Sequence, residues 1–240
     1  MLSYQSMEIL KMVLHFDEYL RNIITLFGPW TYVILFGIIF AETGLVVVPF
    51  LPGDSLLFVV GTLAGGGYLN IVVVYVVLLA AAIIGDTVNY WIGHHLGPKV
   101  FSREKSRFFK KEHLEKTREF FEKHGGKTII LARFIPIIRT FAPFVAGVGK
   151  MHYRTFLFYN VTGGFIWVTA LMLAGYFFGG ISLIKNNFEF AVIGIVLISL
   201  LPVLIEYIKH KRQPKLSKKE LEHATYQDIQ KTFKKEHLND

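Results

Sequence analysis

Five ionisable side chains stand inside long apolar stretches of this 240-residue chain: Glu42, Asp54, Asp86, Arg133 and Arg139. Each costs roughly 2.5–3.5 kcal/mol at the centre of a membrane helix, so they must pair with one another, reach water or meet a ligand. Guanidinium stays charged and presents a planar fork of donors that matches phosphate oxygens. A carboxyl group withdrawn from water is pushed toward its neutral form, which brings it into range for exchanging protons. Arg133 and Arg139 to hold an anionic headgroup, with Glu42 and Asp54 to take protons, make the parts of a proton-coupled carrier. The plainer alternative is that Glu42 and Asp54 bridge Arg139 and Arg133 and lock the fold. That is a poor use of four charges, because apolar residues in place of a buried ion pair are often neutral or stabilising. Asp86 follows Gly85, with Tyr90 one turn on along the same face. Its role is open between transport and a cap or hydrogen bond to a neighbouring segment.

Other chemistries find little support. The chain has no cysteine, which excludes disulfides, thiolate metal sites and cysteine nucleophiles. His94 and His95 are adjacent without a third ligand, and His113 and His124 do not form the HExxH zinc pattern. Gly65-Gly66-Gly67 lacks the Lys and Ser/Thr of a nucleotide-phosphate loop. No metal or cofactor is expected, and the chain reads as a carrier, not an enzyme. Of 26 Lys and Arg, ten lie in 94–127 and nine in 209–240. Such clusters mark the cytoplasmic side of a membrane protein, where anionic headgroups and the positive-inside bias hold them. Nucleic-acid binding is not expected, for want of any groove-reading motif.

The elements that position these residues are membrane helices. Residues 30–51, 71–92, 156–178 and 188–208 are each long enough to cross a hydrocarbon core. Two apolar stretches are interrupted. Pro49, Pro52 and Gly53 break the first beside Glu42 and Asp54; Pro136 and Pro143 break the second beside Arg133, Arg139 and Thr140, before Gly147. Broken backbone at membrane depth is tolerated only inside protein or along a wet cavity. Two re-entrant hairpins, about 30–66 and 128–149, follow. Trp30, Trp91 and Trp167 fall where interfacial anchors commonly do.

The pattern occurs twice. An amphipathic stretch, a glycine, an interrupted apolar stretch and a continuous span run through 1–93 and again through 101–178. The spans close on matching devices, Gly93–Gly97 and Gly175–Gly179. An ungapped register that aligns Gly28 with Gly125 sets Glu42 against Arg139. The expected fold is thus an all-α polytopic membrane protein of two inverted repeats, each with a re-entrant hairpin and a transmembrane helix. The segments are an amphipathic interfacial helix 1–28, a core 29–180 with spans 70–93 and 155–178 and a basic cytoplasmic helix 99–124, a C-terminal span 187–209, and a basic cytoplasmic tail 210–240, disordered or a short helix.

Three blocks resemble the DedA family, also called SNARE-associated or VTT-domain proteins. They are Glu42 with Pro49-x-x-Pro52-Gly53-Asp54; Gly85-Asp86-x-x-x-Tyr90-x-x-Gly93-x-x-x-Gly97; and Arg133-Phe-Ile-Pro136-Ile-Ile-Arg139-Thr140 with Ala146-Gly147. His94-His95 depart from the second block, where an Arg usually follows the first glycine. The resemblance covers about 25–180 and implies a lipid translocase of the cytoplasmic membrane. It also implies that Glu42, Asp54, Arg133 and Arg139 are essential, and that undecaprenyl phosphate or phosphatidylethanolamine is moved with dependence on the proton motive force. Undecaprenyl phosphate suits two arginines better, since its headgroup is a bare phosphate. A phospholipid flippase or scramblase, a membrane-embedded lipid phosphatase and a small-ion antiporter are the competing readings, and a homo-oligomer is compatible with all of them.

Overall fold

The computed structural model describes residues 26–45, 53–101, 111–179 and 226–233. Pro49, Pro52, the expected interfacial helix up to residue 25, the expected span 187–209 and most of the tail lie outside them. The described residues form eight α-helices and no strand: α1 (Trp30–Gly44), α2 (Gly53–Gly65), α3 (Ile71–Phe101), α4 (Lys111–His124), α5 (Thr128–Ala132), α6 (Pro136–Val148), α7 (Tyr153–Gly179) and α8 (Tyr226–Phe233). A 3-10 turn, Gly125–Lys127, joins α4 to α5.

Two helices have the length and composition to cross a membrane, over Ile71–Leu96 and Tyr153–Phe178. Their 26 residues each extend about 39 Å at helical rise, beyond the ~30 Å of a hydrocarbon core. Asn70 starts α3, its Oδ1 accepting from the amides of Val72 and Val73 at 3.0 and 3.1 Å. The span expected to stop at residue 93 runs on to Phe101, so Gly93 to Gly97 lie within a helix and not in a loop. The basic helix expected over 99–124 begins, among the described residues, at Lys111.

The second interruption falls at Pro136. α5 ends at Ala132, a turn follows, and Ile135 in extended conformation leads into Pro136 at the start of α6. Pro fits there because its missing N–H has no helical partner at that position anyway. Pro143 does not break the chain; α6 runs through it to Val148. The tail contains a short helix: Ile229, Thr232 and Phe233 of α8 are buried.

The helices divide between two compact units. The first takes 26–36, 53–78 and 168–179. In it α2 crosses the end of α7 at backbone contact. A Cβ on Gly61 would meet the Met172 carbonyl, one on Gly175 the Phe58 carbonyl, and one on Gly65 the Tyr176 carbonyl. Thr62 Oγ1 donates to the Gly175 carbonyl at 3.1 Å, and Tyr75 and Thr169 share a hydrogen bond of 2.8 Å.

The second unit takes 37–45, 79–101, 111–167 and 226–233. Here α6 crosses α3 by the same device: a Cβ on Gly147 would meet the Tyr90 carbonyl, and one on Gly93 the Phe144 carbonyl. Phe58-x-x-Gly61 on Met172-x-x-Gly175 thus has its counterpart in Phe144-x-x-Gly147 on Tyr90-x-x-Gly93. This register matches Gly93 with Gly175, as the span-closing devices do, but matches Arg139 with Gly53 and not with Glu42. The core holds Leu114, Phe121, Ile129, Phe141, Phe144, Val145, Met151 and Phe156. Tyr90 ties it to the α6–α7 turn, stacking on Phe156 with ring centroids 4.5 Å apart and donating its hydroxyl to the Met151 carbonyl. α8 closes this unit beside α4 and α6: Phe233 packs on Phe121 at 4.8 Å and covers Gly149, where no side chain would fit.

Candidate functional site

Periodicity brings the polar residues together. Ala82, Asp86, Asn89, Tyr90 and Gly93 share one buried face of α3, while Val72, Val73, Val76 and Ile84 are exposed. On α7, Asn160, Gly163 and Trp167 recur at helical spacing along a buried face, while Phe158, Phe165, Ile166 and Phe177 are exposed. Between these faces sit the turn from α5 to α6, which carries Arg133, and the start of α6, which carries Arg139.

Arg133 stands in that turn and is 2% exposed. Its Nη2 donates to Asp86 Oδ2 and to Asn160 Oδ1, both at 2.6 Å. Asn160 is oriented from its other end, where Nδ2 donates to the Ile83 carbonyl at 3.0 Å and Thr87 Oγ1 at 3.4 Å. Gly163 leaves room for the arginine, since a Cβ there would lie 3.2 Å from Arg133 Nε and 3.1 Å from Ile130 Cα. Two of the three guanidinium nitrogens, Nε and Nη1, have no hydrogen-bond partner among the described residues.

Arg139, on the first turns of α6, lies beside Glu42 near the end of α1, with Nη1 3.3 Å from Oε1. Both residues are buried. The backbone here is fixed by Asn89, whose Nδ2 donates to the Thr43 carbonyl at 3.1 Å and the Thr140 carbonyl at 3.0 Å. One side-chain amide on α3 therefore ties the Glu42 segment to the Arg139 segment. Gly44 and Gly85 let α1 and α3 approach, a Cβ at Gly44 falling 3.3 Å from the Gly85 Cα.

Both guanidiniums lie over the ring of Trp167, Arg139 Cζ at 4.0 Å from its centroid and Arg133 Cζ at 5.7 Å. Trp167 is 1% exposed, so the expectation of an interfacial anchor does not hold for it. Trp30 and Trp91 are exposed, as anchors are.

The carboxylate that meets Arg133 is Asp86, on α3. Its position facing the α5–α6 turn makes it part of the charged cluster, not scaffold around it. Asp54 belongs to the first unit, exposed in the first turn of α2 and adjoining buried Gly53. Of the supporting residues, Tyr90, Thr140 and Gly147 hold the α3–α6 crossing, and Pro136 starts the helix that carries Arg139. Asn89 and Asn160 are not singled out from the sequence, and Trp167 reads there as an interfacial anchor. The signal was an amide in the middle of an apolar span, twice. No group of three or more metal-ligating side chains occurs among the described residues.

Comparison with known proteins places these residues in context. A family model described as the VTT domain matches residues 48–177. "Protein DedA" of Escherichia coli strain K12 is 54% identical over 202 residues, covering 83% of this chain and 92% of that protein. "Uncharacterized membrane protein ML0287" of Mycobacterium leprae is 44% identical over 185 residues, with 77% and 83% covered. "Inner membrane protein YqjA" of Escherichia coli K12 is 34% identical over 148 residues, with 62% and 67% covered. No solved structure matches the chain.

Proposed function

We propose, from the premise that the chain belongs to the DedA family of VTT-domain membrane proteins, that it moves a phosphate-bearing lipid across the cytoplasmic membrane, coupled to protons. The observation that carries this reading is the pair of buried guanidiniums over one indole ring, with two nitrogens of Arg133 unsatisfied among the described residues. Buried donors without acceptors are costly and call for an explanation. A phosphate headgroup supplies one, because its oxygens accept several charge-assisted hydrogen bonds at once. A bare phosphate monoester, as in undecaprenyl phosphate, brings no ammonium to oppose the two arginines and is the favoured cargo.

Glu42 lies against Arg139, and a proton on Glu42 weakens its hold on that guanidinium. Proton uptake and headgroup capture are then linked through one residue. Asp54 serves as the second acidic group, on the helix that follows the first interruption. The chain acts as a carrier, without chemistry on the phosphate. In this reading hairpins 30–66 and 128–149 are re-entrant in repeats of opposite orientation; the matched crossings of α2 on α7 and α6 on α3 support the repeat. The basic segments put 94–127 and the C-terminus in the cytoplasm.

Reconstituted liposomes test this. Undecaprenyl phosphate and phosphatidylethanolamine are compared with and without a pH gradient, for wild type and Arg139→Ala. Gradient-dependent movement of undecaprenyl phosphate, lost in the variant, is the expected result. Release of inorganic phosphate would instead identify a phosphatase, and ion flux surviving Arg139→Ala an antiporter.

A further inference from the structure

Two like charges close together in an apolar interior repel, and buried pairs are screened far less than exposed ones. Asp86 pairs with Arg133 and Glu42 with Arg139, and the ring of Trp167 lies beneath both guanidiniums. An indole face carries the negative part of a quadrupole and is the strongest aromatic partner for a cation. Trp167 sits on the same face of α7 as Asn160 and Gly163, which orient and accommodate Arg133. One face of one helix therefore sets the position of both arginines.

We infer that Trp167 is a positioning residue that holds Arg133 and Arg139 as one two-pronged receptor for a phosphate monoester. This rests on the headgroup reading above and deepens it. With the ring in place, both guanidiniums keep their charge and their spacing while the headgroup enters and leaves. Without it, each arginine still has its carboxylate, but their relative position is no longer set by a common surface. A dianionic monoester, which must be gripped by both at once, then loses more than a monoanionic diester that needs one.

The test measures binding of dioctanoyl phosphatidic acid, a phosphate monoester, and dioctanoyl phosphatidylglycerol, a diester, to the purified full chain in detergent. Trp167→Leu is expected to weaken the monoester roughly ten-fold, with the diester changed much less and Trp167→Phe in between. Equal weakening of both lipids, or none, overturns the inference. If the Arg133→Gln/Arg139→Gln protein binds the monoester as wild type does, the headgroup reading itself falls. If that double variant is dead and Trp167→Leu binds normally, only the role of Trp167 falls. Should Trp167→Leu fail to fold, a spectroscopic arm remains. The chain has three tryptophans, so Trp30→Phe/Trp91→Phe leaves Trp167 as the sole emitter. Its emission is expected to shift on adding the monoester and on Arg139→Gln; emission indifferent to both overturns the inference.

Discussion

At the scale of residues, the question is whether the buried charges hold the fold or hold a ligand, and stability measurements separate the two. Arg133 and Asp86 are buried and joined at 2.6 Å. Removing one partner, as in Asp86→Ala, strands a charge and is expected to destabilise by about 3–5 kcal/mol. Removing both, as in Arg133→Leu/Asp86→Leu, is expected to restore most of that stability, since apolar replacement of a buried pair is often neutral. Transport in the double variant is nevertheless expected to be absent, because the headgroup has lost a guanidinium. Denaturation in mixed micelles reads the first outcome and liposome flux the second. A double variant that is stable and active would return the pair to a purely structural role. Asn160→Leu supplies the intermediate case: it deprives Arg133 of an acceptor and is expected to cost about 1.5–3 kcal/mol.

At the scale of elements, the two glycine crossings decide where the charged residues stand. At Gly147 and Gly61 a side chain would run into a backbone carbonyl, which cannot turn aside as a flexible side chain does. Gly147→Val and Gly61→Val are expected to destabilise by at least ~1–3 kcal/mol. Gly37→Ala, with nothing within 4 Å of the added methyl, is expected to stabilise α1 by about 0.5–1 kcal/mol. Thermal unfolding of the three variants checks the order. α8 makes a separate case: Arg118 bonds Glu115 and Glu122, and Thr232 Oγ1 donates to Glu122 at 3.0 Å. Phe233→Ala is expected to release α8, seen as faster hydrogen exchange across 226–233 with α3 unchanged. The long helices were legible from apolar runs, and the break at Pro136 from the loss of a backbone donor, because both are local. Glu42 and Arg139 were legible as charges that need partners. That Asp86 meets Arg133, that Trp167 lies under both arginines, and that α8 docks were not. Each depends on which faces meet between helices distant in sequence, and neither hydropathy nor spacing encodes that.

At the scale of the whole molecule, the basic residues predict a sidedness that the absence of cysteine from the sequence makes simple to measure. If 94–127 is cytoplasmic, α3 runs inward from Asn70 and α7 runs outward from Tyr153, which puts the α2–α3 turn outside and the α6–α7 turn inside. A single cysteine needs no background removed. Tyr68→Cys is expected to react with a membrane-impermeant maleimide in intact cells, while Lys123→Cys and His152→Cys, both at exposed positions, react only after permeabilisation. The α6–α7 turn is the informative one. Residues 128–149 lie between two sites, Lys123 and His152, that are expected to share the cytoplasmic face, so the chain between them must enter the bilayer and return. Labelling of Lys123→Cys and His152→Cys from opposite sides would make α5 and α6 a full crossing and remove the second re-entrant hairpin. The same side for both, with Tyr68→Cys on the other, leaves Arg133 and Arg139 on a segment that dips into the membrane from the cytoplasm. That is where a carrier needs a phosphate receptor that protons can reach.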